Sequence, residues 1–199
     1  MTAAPDETTR RILRAARACF AATGARRTTM NQIAAEAGLG VATVYRRFPQ
    51  KGALVRAAVT TEAQSLIAEV AAAVEGLDTL EDQAVEGFLA FTRGLAARHL
   101  LRGVAAGDPD VAHFLTGQQG LGTVIGLARE HLSHVLAHAQ SQGDLPPFDP
   151  AIVADLYARI AASLVLAPDG PIPLKDEAAT RGFARTYLLP LLNADPRPE

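Results

Sequence analysis

The chain has 199 residues and a formal net charge of −2; nearly half of its residues are hydrophobic, and only one is a cysteine. No apolar run is long enough to span a bilayer and no secretory signal opens the chain, so we expect a soluble, cytoplasmic protein. Cys19 cannot form an internal disulfide. The apolar content comes mostly from Ala and Leu, which favours an all-α fold in one or two domains.

The charge is distributed unevenly along the chain. Residues 1–56 contain ten Lys or Arg against three Asp or Glu, whereas the remaining residues contain nine against eighteen. A basic segment on an acidic body is typical of a DNA-binding domain joined to a domain that does not bind DNA. The alternative is a solvated basic face without a nucleic-acid partner.

The first predicted helix runs from about Glu7 to Thr23 and ends at Gly24. Its apolar and basic side chains lie on opposite faces, as in a helix that packs on one side only. The apolar face comprises Ile12, Ala16, Cys19 and Phe20, and the basic face comprises Arg10, Arg14 and Arg17. Arg10 or Arg11, near the start of the helix, is a candidate for contact with DNA phosphates; simple solvation is the alternative.

The segment from Thr29 to Leu54 predicts two short helices joined by a tight turn. Thr29 and Gln32 have the spacing of a capping box, and Gly38 can end the first helix in a left-handed conformation. The apolar positions of the two helices are Met30, Ile33, Ala34 and Ala37, then Val41, Val44, Tyr45 and Phe48. This order is the helix-turn-helix plan, whose second helix lies in the major groove of DNA.

These residues resemble a known family. AGLGVATVYRRFPQKGAL is similar to the signature of TetR-type transcriptional repressors, in which a Tyr, a Phe and a Lys (here Tyr45, Phe48 and Lys51) follow the recognition helix at fixed spacing. Gly40 stands where the family usually has a Ser that caps the recognition helix, and Gly52 where a Glu is common. The resemblance implies phosphate contacts from Thr29, Tyr45 and Lys51, and contacts to base edges from Val41, Ala42, Thr43 and Arg46.

The rest of the chain is also predicted to be helical. We expect a helix-turn-helix DNA-binding domain over residues 1–50 and a helical ligand-binding and dimerisation domain over residues 51–199. A long helix from about residue 51 to 75 opens the second domain. Further helices are predicted at about 79–99, 108–114, 121–142, 150–167 and 174–192, with a loop at 103–107. The total is about nine, as the resemblance implies.

Several side chains of the second domain are candidates for a small-molecule pocket, in which apolar walls are combined with a few polar groups. They are Phe88, Phe91, His99, Arg102, Phe114 and His131. Plain core packing is the alternative, and Arg102 with the histidines favours an apolar, weakly anionic ligand. His131, His134 and His138 share a helical face, but without an HExxH motif or a cysteine partner we predict neither a metal nor a cofactor.

We therefore predict a ligand-responsive transcriptional regulator, and not an enzyme or a membrane protein. It is predicted to be a repressor that binds a near-palindromic duplex DNA operator as a homodimer and is released by a small molecule. The dimer is expected through the last two helices, on the small residues Ala151, Ala154, Ala158, Ala161 and Ala162. Two alternatives stay open: a helical adaptor that binds an acidic protein, and an all-helical metal-dependent enzyme.

Overall fold

A computed structural model describes residues 6–105 and 121–192 of the chain. These residues form nine α-helices and no strand, which confirms the predicted all-α fold. The helices are α1 (Glu7–Thr23), α2 (Met30–Glu36), α3 (Val41–Arg47), α4 (Lys51–Val74), α5 (Leu80–Ala97), α6 (His99–Ala105), α7 (Leu121–Gln142), α8 (Pro150–Leu166) and α9 (Glu177–Phe183). A π turn (Ala184–Leu188) and a 3₁₀ turn (Leu189–Leu192) continue α9. The short helix predicted at 108–114 lies outside the described residues.

The chain divides into two compact units. The first comprises the described parts of Met1–Glu62 and His99–Gly122, and the second those of Ala63–Arg98 and Thr123–Glu199. Helix α4 runs without interruption from the first unit into the second. The predicted domains, residues 1–50 for DNA binding and 51–199 for ligand binding and dimerisation, were defined by function, whereas the two units are defined by contacts. The functional division stays a prediction.

The first unit is built on the apolar face of α1. Asp6 caps this helix by accepting a hydrogen bond from the Thr9 amide at 2.8 Å, and that bond is the main reason why the pKa of Asp6 is lowered. Ile12, Ala16 and Phe20 are buried where α1 packs against α2. Cys19 is half-buried, and burial raises the pKa of its thiol, so it behaves as a small packing residue rather than a nucleophile.

Helix α6 corrects the predicted loop at 103–107 for residues 103–105, and the last two positions of that loop lie outside the described residues. The chain leaves α5 at Arg98 and at once forms a new helix, His99–Ala105, which includes Gly103. Leu100 and Leu101 are buried, and α6 packs against α1. Gly103 and Gly107 favoured a loop, but the burial of Leu100 and Leu101 overrides that local preference.

The second unit packs α5 against α8 and against the end of the chain. Burial of the small side chains Ala154, Ala158, Ala161 and Ala162 within the chain allows this close packing. The prediction that these four alanines face a partner subunit is therefore wrong; only Ala151 of that set is exposed. The period of an alanine stripe does not reveal whether the partner helix belongs to the same chain or to another.

Candidate functional site

The predicted capping box at the start of α2 is confirmed. Thr29 Oγ1 accepts from the Gln32 amide at 3.2 Å, and Gln32 Oε1 accepts from the Thr29 amide at 2.8 Å. The preceding turn is held by Thr28, whose buried hydroxyl donates to the Gly24 carbonyl at 2.8 Å. These bonds set the direction in which α2 leaves the turn. They also place the exposed Thr29 at the edge of the motif.

The turn between α2 and α3 requires a glycine at position 38. Gly38 has φ +62°, a left-handed conformation that a side chain makes costly. Arg11 braces the same turn: its Nη2 donates to the Ala37 carbonyl at 2.8 Å and to the Gly38 carbonyl at 3.4 Å. A Cβ on residue 38 would lie 3.3 Å from that nitrogen. Arg10 and Arg11 were the two candidates for contact with DNA phosphates. The structure places the Arg11 side chain on the backbone of this turn, and it pairs Arg10 with Glu7 at 2.8 Å.

Helix α3 is anchored by one side chain and presents the others outward. Val44 is fully buried, whereas Val41 is 36% and Tyr45 is 48% exposed. Ala42 and Arg46 are also exposed, and Thr43 is half-buried. An ion pair between Arg47 and Asp6 joins the end of α3 to the start of α1. The predicted base-facing residues thus share a helix that is held in place by the buried Val44 and by the Arg47–Asp6 ion pair. A recognition helix that lies in a groove of DNA has this arrangement.

Lys51, the first residue of α4, is bonded to the chain backbone. Its Nζ donates to the carbonyls of Arg26 and Thr28, both at 2.8 Å. The ammonium therefore ties the start of α4 to the turn that precedes α2. Sequence reasoning assigned Lys51 only a phosphate contact, because the spacing of a motif does not show which carbonyls converge on a side chain.

A second ion pair joins α1 to α4 within the first unit. Arg17 Nε donates to Glu62 Oε1 at 2.9 Å, and the Glu62 side chain is buried. Its other carboxylate oxygen, Oε2, has no hydrogen-bond partner among the described residues. Arg17 belongs to the predicted basic face of α1, and the structure places it in this ion pair.

Gly40 at the start of α3 offers a test of the local structure. Gly40 is the N-cap residue of α3, and no side chain caps this helix. A Cβ on residue 40 would have no atom within 4 Å. A Ser at this position can accept from the amides of the first turn, so we expect Gly40→Ser to stabilise the protein by a few tenths of a kcal/mol. The matched control is Gly170→Ser, which also adds a side chain into open space but caps no helix. Thermal unfolding that shows Gly40→Ser to be less stable than the Gly170→Ser variant would contradict the cap assignment.

The second unit contains a cavity of about 120 Å³. Phe88, Phe91 and His131, three of the predicted ligand-binding residues, contribute to its lining. His99 and Arg102 do not line it; both are exposed on α6 in the first unit. Phe114, the sixth predicted residue, lies outside the described residues.

Other classes of site are less well supported within the described ranges. There, no group of three or more His, Cys, Asp or Glu side chains is arranged to hold a metal ion. His134 and His138 are exposed on α7. No helix in the described part of the chain is long and apolar enough to cross a membrane.

The segment that contains α2 and α3 matches known regulators. Residues 12–58, from α1 to the second turn of α4, match the family model described as bacterial regulatory proteins of the tetR family. Over 169 residues the chain is 29% identical to an uncharacterized HTH-type transcriptional regulator of Mycobacterium bovis, covering 85% of this chain and 86% of the relative. A protein of Mycobacterium tuberculosis with the same description matches to the same extent.

Solved structures show the same fold along nearly the whole chain. GusR of Salmonella enterica superposes with a TM-score of 0.67 at 27% identity, covering 96% of this chain and 98% of GusR. A putative TetR-family transcriptional regulator from Rhodococcus sp. superposes with a TM-score of 0.71 at 18% identity, covering 94% and 99% of the two chains. The similarity therefore extends beyond the helix-turn-helix to the helices of the second unit.

Proposed function

We propose that this chain, a TetR-type transcriptional regulator, is a cytoplasmic repressor released from its operator by a small molecule. It binds duplex DNA as a homodimer, with one α3 helix in each half of a near-palindromic site. The observation that carries this proposal is the presentation of α3. One buried valine anchors the helix, and its exposed side chains include Val41, Ala42, Tyr45 and Arg46.

The contacts are of two kinds. Thr29, Tyr45 and Lys51 hold phosphates and so fix the position of the protein on the duplex without reading its sequence. Val41, Ala42, Thr43 and Arg46 face the base edges. Val41 and Ala42 lack polar side-chain atoms, so their side chains make only apolar contacts, such as with a thymine methyl group. Arg46 is left as the side chain best suited to a guanine.

Arg46 is therefore expected to specify one operator position. Arg46→Ala should lower the preference at that position by about 1–3 kcal/mol, because a bidentate contact to a guanine edge is lost. The matched control is Arg14→Ala, which removes the same charge from the exposed face of α1. Selection of bound sequences from random duplexes should show one degenerate position for Arg46→Ala and an unchanged motif for Arg14→Ala. An unchanged motif for both variants would remove Arg46 from the base-reading set.

An exposed apolar face on α8 supports the dimer. Ile152 is 61% and Leu156 is 46% exposed, and both lie on one side of the helix with Arg159 and Ser163. Tyr187, 66% exposed, adds a large side chain at the end of the chain. An apolar patch of this kind on a folded chain indicates a protein interface. We propose that this face, rather than the buried alanines, packs against the same face of a second copy.

Helix α4 connects the two proposed activities. Lys51 in its first turn holds the carbonyls before α2, and Ile67, Val70 and Val74 near its other end line the cavity. A ligand that favours one position of this continuous helix would change the arrangement of the DNA-binding helices. Coupling of about 1–3 kcal/mol, typical of allosteric proteins, would lower operator affinity roughly 5- to 150-fold.

A further inference from the structure

The cavity of the second unit identifies the chemical class of the effector. Resting on the function proposed above, we infer that the effector is a neutral, mainly hydrocarbon molecule that places a ring-sized apolar group in this cavity. Its polar atoms are few and uncharged. The inference depends on the lining, the hydrogen bonds already made by the polar groups, and the volume.

The lining is almost entirely apolar. Aliphatic side chains of α4, α7 and α8 and the rings of Phe88 and Phe91 from α5 form its walls. Among the described residues that line the cavity, none is Lys, Arg, Asp or Glu. A carboxylate or phosphate buried here would lose its hydration without gaining a cationic partner from these residues, which is strongly unfavourable. The expectation of a weakly anionic ligand depended on Arg102, His99 and His131, and of these three residues only His131 lines the cavity. A neutral ligand therefore suits this lining better.

Among the described residues of the lining, three carry polar side-chain groups: Gln83, His131 and Tyr157. The Tyr157 hydroxyl donates to the Leu188 carbonyl at 2.5 Å, and burial raises the pKa of this phenol, so it remains neutral. Gln83 Nε2 donates to the Leu77 carbonyl at 2.8 Å. The amide oxygen of Gln83 is therefore the atom that can accept a hydrogen bond from a ligand. His131 is half-buried. These groups suit one hydroxyl or similar neutral group on the ligand, and not an ionised one.

The volume limits the size of the buried group. The cavity measures about 120 Å³, and apolar cavities of about 150 Å³ lined by Leu, Ile and Phe are known to stay dry and to bind benzene. A six-membered ring or a short alkyl segment therefore matches the volume of this cavity. A longer effector would extend beyond it, and a second cavity of about 280 Å³ shares Ile67 and His131 with the first.

Three probes that share a six-membered ring test the class directly. Benzene, phenol and benzoate are titrated into the full-length protein by calorimetry, at a mildly alkaline pH at which histidine side chains in general are neutral. Benzene and phenol are expected to bind, and benzoate to bind at least about tenfold more weakly than phenol, because its charge is unpaired in the cavity. Benzoate binding as tightly as phenol, or no binding of either neutral probe, would overturn the inference.

Substitutions locate the binding in this cavity. Ala84, which lines it, is replaced by Leu, and the same change at the exposed Ala96 of the same helix is the control. Ala84→Leu should abolish binding of benzene and phenol, and Ala96→Leu should leave both unchanged. In case Ala84→Leu fails to fold, Gln83→Leu serves as the second variant: it should weaken phenol more than benzene. Equal binding by all variants would contradict the assignment.

The readout separates this inference from the proposed function. Calorimetry reports binding without DNA, and operator release is measured in a separate assay with the same probes. If benzene and phenol bind but operator affinity does not change, the ligand class holds and release by a ligand fails. If operator affinity falls with benzoate and not with the neutral probes, release by a ligand holds and the class is wrong.

Discussion

Lys51→Met is expected to lower both the stability of the first unit and the affinity for every DNA sequence. The substitution keeps the length and apolar part of the side chain but removes two charge-assisted hydrogen bonds to the carbonyls of Arg26 and Thr28. Bonds of this kind contribute about 1.5–3 kcal/mol. The turn before α2 would lose its attachment to α4, so we expect an unfolding free energy lower by about 2 kcal/mol. Operator affinity should fall at least about tenfold, without a change in base preference.

The chain offers a close control for this experiment. Lys175, the only other lysine, is exposed in the second unit. Lys175→Met removes the same charge and should change neither the melting temperature nor operator affinity. Urea unfolding and gel shifts at moderate salt measure the two effects. A Lys51→Met protein as stable as the Lys175→Met protein, with the same DNA affinity, would contradict the role given to Lys51.

Leu156→Asp is expected to convert the proposed dimer into monomers. Leu156 lies on the exposed face of α8, and the proposed dimer contact would bury a carboxylate there, which is strongly unfavourable. Light scattering should change from twice 20.9 kDa for the unaltered chain to about 20.9 kDa for the variant. Operator affinity should fall more than about 100-fold, because one half-site contact no longer assists the other.

The matched control is Ala137→Asp, which places the same charge at an exposed position of a different helix, α7. It should leave both the mass and the operator affinity unchanged. A mass near 20.9 kDa for the unaltered chain at micromolar concentration, with no change on dilution, would remove the homodimer from the account.

The helix-turn-helix was predictable because its determinants are local. The Thr29–Gln32 capping box and the left-handed Gly38 are set by residues within a few positions of each other, and both occur as the sequence predicts. The same is true of α1, whose bounds Glu7–Thr23 match the prediction. Capping residues and a helical apolar period together define such elements without information about the rest of the fold.

The features that the sequence did not reveal depend on distant parts of the chain. The carbonyls bound by Lys51 lie more than twenty positions before it, and the alanines of α8 are buried by α5. Arg102 and His99 were grouped with the phenylalanines by chemistry alone, yet they lie on α6 in the other unit. A periodic pattern shows which residues share a face, but it does not show which element covers that face.

The role of α3 in DNA reading is tested by selection of bound sequences from a random duplex library, followed by measurement of affinity against salt. We expect a near-palindromic motif whose half-site centres lie about one helical turn apart, 34–36 Å, or a near multiple. Its affinity should fall steeply with salt, because several phosphates are neutralised. No enriched motif, or an affinity that is independent of salt and unchanged by Lys51→Met and Arg46→Ala together, would contradict the assignment of α3 as a DNA-reading helix.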